Sequence, residues 1–344
     1  DKETQKFGLA TPVGIFSTTG IAGLTLGGGN GYLSRKHGLT IDNLLSVELV
    51  TAEGDLIAAN KTENPDLFWA LRGGGGNFGV VTSFEFKLHE IGPEIMTARV
   101  FYPIEDAKQV LQFYREFTSN AADELAAYAL IISVPPADPF PESHQGKTAI
   151  VLLVSYAGSL DDGKMALEPL EKFGNPFLQV IMPMSFVELQ TSFDKSTPYG
   201  IRNYWKAHYM DHLSDEAIDV LVNYTHDIPG PLSVVGIEPF GGAITRVEES
   251  ATAFPQRSAS YILGLFSGWI ESEDDEKNIN WTRELYHKMT AFASGGVYSN
   301  YLDKDDSDKI RPSFGSNYSR LQKVKYKYDP NNFFKLNLNI IPKP

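Results

Sequence analysis

The densest run of bare backbone in this 344-residue chain is Gly27-Gly28-Gly29-Asn30-Gly31, inside LGGGNGYLSRKHGLTIDN (26–43). Consecutive glycines let successive amide N–H groups point into one concavity, a nest suited to phosphate oxygens. A second cluster, Gly73-Gly74-Gly75-Gly76-Asn77, follows in WALRGGGGNFGVVTSFEFKL (69–88). Either cluster alone also fits tight turns and close strand packing. Neither is a Rossmann fingerprint, since no clean strand precedes Gly27 and no helix with an acid about 20 residues on follows it. A Walker loop would need Gly-Lys-Ser/Thr, which neither cluster contains. His208 and His212 have the i, i+4 spacing of a metal pair on a helix, but no third ligand is spaced with them and their segment reads as a strand, so no metal is expected. A Gly-x-Ser-x-Gly elbow is absent. Cysteine is absent too, which removes disulfides, thiolate ligands and a catalytic thiol, so redox chemistry must come from a cofactor.

These residues need elements to hold them. LLSVELVTAEGDLIAAN reads as a β-hairpin turning at Glu53-Gly54, NPDLFWAL as a short helix with Asn64 as N-cap and Pro65 in its first turn, and GVVTSFEFKL as a strand. Beyond residue 94, strands and helices alternate. EIMTARVFY, AAYALIISV, TAIVLLVSYAG, LSVVGIEPFGG and YILGLFSGWI are strands. Helices are expected over 105–118 and 272–292, and after the N-caps Ser159 and Ser214. An antiparallel sheet carrying helices on one face is the natural arrangement for 94–297. The last segment is polar, aromatic and asparagine-rich, unlike either neighbour.

Forty-three acids against 30 bases give a formal charge of −13, which would repel a phosphate backbone, so nucleic-acid binding is not expected. No apolar run is long enough to span a membrane, and DKETQKFGLATPVG lacks the apolar core of a signal peptide. Neither a membrane segment nor secretion is expected, and a cytoplasmic location is favoured.

The words matter more than the glycine count. ATPVGIFSTTGIAGLTLGGGNGYLSRKHGLTIDNLLSVELVTAEGD, then NPDLFWALRGGGGNFGVVTSFEFKL, and finally YSNYLD with YSRLQKVKYKYDPNNFF and NLNI resemble the berberine-bridge-enzyme-like flavoprotein oxidases of the vanillyl-alcohol-oxidase superfamily. The resemblance runs from about residue 7 to 342, tightest at both ends. It implies an α+β fold made of the C-terminal half of a PCMH-type FAD-binding domain and an antiparallel-sheet substrate domain covered by helices. The expected divisions are 1–93 (second FAD subdomain), 94–297 (substrate domain) and 298–344 (a segment returning to the FAD domain).

The resemblance further implies that Ser17, Thr18, Thr19, Gly20, Gly23, Leu24, Gly27, Gly28, Gly29 and Gly31 wrap FAD through backbone amides, with Val81 near the adenine and Asn337 and Asn339 on the ring or ribityl chain. Flavin oxidation needs a base for the substrate proton, and a tyrosine serves if its phenolate is stabilised. The matching residues are Tyr301, with Tyr298 second, and Glu238 in IEPFGG. The plant-type glutamate base is replaced by Ala251, and Gln256 stands for the histidine of that motif. Arg35 and Asp42 are expected to brace each other near the glycines.

Two departures stand out. The family's Arg-Gly-Gly-Gly-His phosphate loop, whose histidine bonds to flavin, has no counterpart, and Phe16 holds the place of the second, cysteine anchor. FAD is therefore expected to be noncovalent, and the chain to begin midway through the cofactor domain, shortened or completed by a separate chain. The expected activity is FAD-dependent oxidation of a hydroxyl or amine carbon of a small molecule, with oxygen as acceptor. The alternative is a flavin-free member acting as a binding module or non-redox enzyme.

Overall fold

The computed structural model describes residues 1–194, 196–197, 199–302, 305–336 and 338–344. A short strand, β1 (Leu9–Ala10), opens the chain and pairs antiparallel with β5 (His89–Glu90). Between them come two short helices, α1 (Ile21–Leu26) and α2 (Ser34–His37), and a three-stranded antiparallel sheet ordered β3-β2-β4: β2 (Leu44–Val50), β3 (Leu56–Asn60) and β4 (Val80–Phe86). The hairpin turn falls where the sequence places it. Gly54 takes φ 90°, a left-handed conformation that a side chain would strain. Helix α3 (Pro65–Leu71) buries every residue from Leu67 to Leu71. Asn64 is not its side-chain cap: it sits at φ 45°, and its amide donates to Ala58 O at 2.8 Å, back into the hairpin.

The largest sheet has seven antiparallel strands: β6 (Glu94–Pro103), β7 (Leu125–Ser133), β8 (Thr148–Tyr156), β9 (Leu178–Ser185), β10 (Arg202–Met210), β11 (Val234–Pro239) and β12 (Tyr261–Trp269). Their order is β10-β12-β11-β7-β8-β6-β9. Helices α4 (Ala107–Ser119), α5 (Leu160–Glu171), α7 (Asp215–Thr225) and α8 (Asp275–Met289) share one core with a single face of it. The caps are as read: Ser159 accepts from Asp162 N and Ser214 from Ala217 N. The face of α4 that goes inward is Ala107, Val110, Leu111 and Tyr114. Strand β9, followed by α6 (Phe186–Gln190), is not legible as a strand because Pro183 interrupts it. Proline is tolerated because β9 lies at the sheet edge, where one side of the ladder makes no bonds.

Strand alternation divides the sheet's residues between two cores. Val100, Ala127, Leu152, Ile237 and Leu263 face the helices, whereas Phe101, Tyr128, Leu153 and Ile262 face the other way. Residues 10–41 cover that second face, bringing Ala10, Tyr32, Leu33, Leu39 and Ile41 against it. The chain then returns. Helices α9 (Ile310–Phe314) and α10 (Tyr318–Tyr328) set Phe314, Leu321 and Val324 into one core with α3 and β2. Among the described residues no helix is long and apolar enough to cross a membrane.

Candidate functional site

Glu238 occupies the junction between the sheet's second face and the glycine segment. On β11 its neighbour Ile237 points to the helices, so the two-residue period turns Glu238 the opposite way, where it is buried. Its Oε1 accepts from Tyr301 Oη at 2.7 Å and its Oε2 from Asn30 Nδ2 at 3.3 Å. Burial raises the carboxyl to about 7, against the opposing effect of those two donors. Tyr301 closes the 3-10 turn Ser299–Tyr301 and packs its ring edge-on against Phe266 (5.3 Å), Trp205 (6.3 Å) and Tyr298 (5.0 Å). Burial, then the neighbouring Glu238 charge, push its hydroxyl well above 10, so Tyr301 is the protonated donor of the pair.

Tyr298 plays a different part. Its hydroxyl accepts from Gly29 N at 2.8 Å and from Asn300 Nδ2 at 2.9 Å, and burial pushes it up to about 12. It thus pins the glycine run to the C-terminal segment.

The run itself is packed against its own chain. A Cβ on Gly27 would collide with the Asn300 side chain, on Gly29 with Thr40 Oγ1 and on Gly31 with the Val13 carbonyl. The Gly27, Gly28, Gly29 and Gly31 amides donate to Gly23 O, Thr25 O, Tyr298 Oη and Ser34 Oγ. The expected concavity of free amides is therefore corrected here: these glycines permit close approach of protein to protein. Ser17, Thr18, Thr19, Gly20 and Gly23 lie differently, on the surface, and a Cβ on Gly20 or Gly23 would meet nothing within 4 Å. Ser17 Oγ donates to Asp194 Oδ1 at 2.5 Å. Leu24 and Val81 are half-buried, and Asn339 holds a buried Oδ1 with no partner among the described residues. Asn337 lies outside the described residues.

The expected Arg35–Asp42 brace is replaced by two others. Arg35 donates to the carbonyls of Leu125, Phe240 and Ala121, whereas Asp42 takes both Nη1 and Nη2 of Arg257, at 2.7 and 2.8 Å. Arg257 is almost wholly buried, and the bidentate geometry compensates its charge. Nothing in its FPQR context announces this partner. His208 lies on β10, stacked on Tyr286 at 4.0 Å with Nε2 against the Tyr286 carbonyl. Asn30 is the site residue that sequence reasoning passed over. The available signal was that it interrupts the glycine run with a side chain able to hydrogen-bond.

Comparison with known proteins adds a second line. The family model described as "FAD binding domain" matches residues 1–60, and that described as "Berberine and berberine like" matches 297–341. An FAD-linked oxidoreductase of Dictyostelium discoideum is 33% identical over 99% of this chain and 73% of its own length. A tetrahydroberberine oxidase of Berberis wilsoniae is 28% identical over 96% of this chain and 68% of its own. Among solved structures, 6-hydroxy-D-nicotine oxidase of Arthrobacter nicotinovorans superposes with TM-score 0.84 at 26% identity, over 99% of this chain and 76% of that one. A BBE-like protein of Physcomitrella patens superposes with TM-score 0.85, also at 26% identity, over 100% and 75%.

Proposed function

The chain belongs to the berberine-bridge-enzyme-like FAD-linked oxidoreductases, and from that membership we propose that it oxidises a hydroxyl or amine carbon of a small molecule, with Tyr301 and Glu238 as the proton-accepting pair. The observation that carries this is the 2.7 Å bond from Tyr301 Oη to a buried carboxylate that burial has brought to about 7. A base is most effective when its pKa lies near the working pH. As the substrate's O–H or N–H proton moves to Tyr301 Oη, the tyrosine's own proton passes to Glu238 Oε1. Asn30 holds the other carboxylate oxygen and fixes its orientation. Tyr298 keeps the glycine run in place and carries no proton in this scheme.

The residues present fit FAD on two counts: the outward-facing backbone of Ser17–Gly23, and the unpartnered buried Oδ1 of Asn339. We assign those residues, with Val81 at the adenine end, to hold it. Bound FAD supplies the hydride acceptor that no side chain offers. Residues 1–344 contain no cysteine for a cysteinyl link. Oxygen is the proposed final acceptor. The names of similar proteins span an alkaloid, a nicotine derivative and a chitooligosaccharide, a range that suits one proton-and-hydride scheme with interchangeable pocket walls.

The visible spectrum tests this. Purified protein supplemented with FAD is expected to show a flavin band that substrate bleaches without oxygen, and Tyr301→Phe to slow the bleaching by about 10²-fold or more while keeping the band. The packed state of Gly27–Gly31 favours one second reading, a flavin-free member that keeps the cleft for binding. Colourless protein that refuses FAD yet binds a small molecule decides for that reading.

A further inference from the structure

The second face of the large sheet carries polar groups that the Tyr301–Glu238 pair leaves unused. Pairing register aligns Arg99 on β6 with Leu153 on β8, and Leu153 with Tyr128 on β7. Ile237 opposite Ala129 sets Glu238 of β11 next in the same transverse row. All four point away from the helices, since their strand neighbours Ala98, Ala127, Leu152 and Ile237 fill the helix-side core.

Tyr128 Oη is buried and has no hydrogen-bond partner among the described residues. Tyr32, from the covering segment, meets the Tyr128 ring edge-on at 5.6 Å, and its own buried Oη lies beside the Ser192 hydroxyl. Arg99 is half-buried, and its charge acts on the Tyr32 hydroxyl. Among the described residues it has no carboxylate partner, only the Met184 sulfur at 3.7 Å. Both phenols remain protonated, burial having raised them, and among the described residues Tyr128 is a donor lacking an acceptor. An unpartnered buried donor and a guanidinium without a carboxylate are each costly, and one carboxylate relieves both, with the Tyr32 hydroxyl beside them as a further donor. The row between Arg99 and Glu238 holds Leu153 and Tyr128, and the next row along the strands, Phe101, Val151 and Leu130, is apolar and buried.

We propose that Arg99, Tyr128 and Tyr32 form a carboxylate-holding subsite, and that the substrate is an elongated acid with an apolar middle whose far end is oxidised at Tyr301–Glu238. Strands about 4.8 Å apart put β6 roughly 14 Å from β11, a span the arginine's own length shortens, so several bonds separate the carboxylate from the reacting carbon. The choice of oxidised end rests on the proposed function; the carboxylate subsite does not.

Calorimetric titration of the purified protein with 8-hydroxyoctanoate and with 1,8-octanediol separates the two. Wild type is expected to bind the acid at least about tenfold tighter than the diol, the scale of one charge-assisted hydrogen-bond set. Arg99→Ala and Tyr128→Phe each erase that preference, while Glu238→Gln leaves it. Tyr128→Phe removes a hydroxyl that holds no structural bond, so it keeps the fold and the test stands even where Arg99→Ala misfolds. Equal binding of acid and diol, binding of neither, or a preference that survives Tyr128→Phe overturns the subsite. Retained acid preference without turnover overturns only the oxidase reading.

Discussion

Glu238 links the proton step to stability through one carboxyl. Its folded-state pKa of about 7 lies above the 4.5 of the free group, so the unfolded chain releases its proton first as pH rises. Stability is lost between about pH 4.5 and 7, of the order of 3 kcal/mol in all. Glu238→Gln is therefore expected to match wild type in urea unfolding at pH 4 and to exceed it at pH 8. Turnover has the opposite slope, rising through about pH 7 as the carboxylate becomes able to accept, and the Gln variant loses that rise. A pH-independent rate in wild type would remove Glu238 from the chemistry. Tyr301 and Glu238 were legible as a pair because their motifs resemble a family's. Asn30 was not, because a glycine run shows only where side chains are absent, and the absent Cβ atoms at Gly27 and Gly29 make room for Asn300 and Thr40.

The elements that bring these residues together are held by buried charge as well as by packing. Lys325 on α10 is wholly buried; it pairs with Asp329 and donates to Asn77 O at 2.7 Å and Phe334 O at 2.8 Å. Asp329 also takes the amides of Phe333 and Phe334, and Asn77 ties Gly74 to Leu338 and Ile340. Lys325→Met strands the carboxylate and is expected to cost about 3–5 kcal/mol in urea unfolding, whereas adding Asp329→Leu recovers part of it. Equal stability of the single and double variants contradicts the network's role. Helices α5 and α7 could be read because serine caps and apolar spacing agree there. Helix α10 could not: Lys, Tyr and Gln dominate it, and its inward stripe is only Leu321, Val324 and the buried Lys325. A lysine that faces a core reads as surface until its partner is seen.

At the scale of the whole molecule, the first ninety residues and the last forty share one hydrophobic cluster, with Phe314, Leu321, Val324 and Ile340 packed among Leu67, Trp69, Phe78 and Leu49. Arg320 adds a guanidinium over the Trp69 ring at 3.8 Å. Removing residues 318–344 is expected to abolish slow hydrogen exchange of the α3 amides while the seven-stranded sheet keeps its own protection. Unchanged α3 protection would mean that the early segment is self-sufficient. The order of synthesis sets a further condition. A ribosome adding about 5–20 residues per second makes α3 wait through about 250 more residues, some tens of seconds, before α10 emerges to cover it. During that interval Trp69 and its neighbours remain sticky, so yield in cells should depend on chaperones that shelter the nascent segment around α3 rather than on how fast the central sheet collapses.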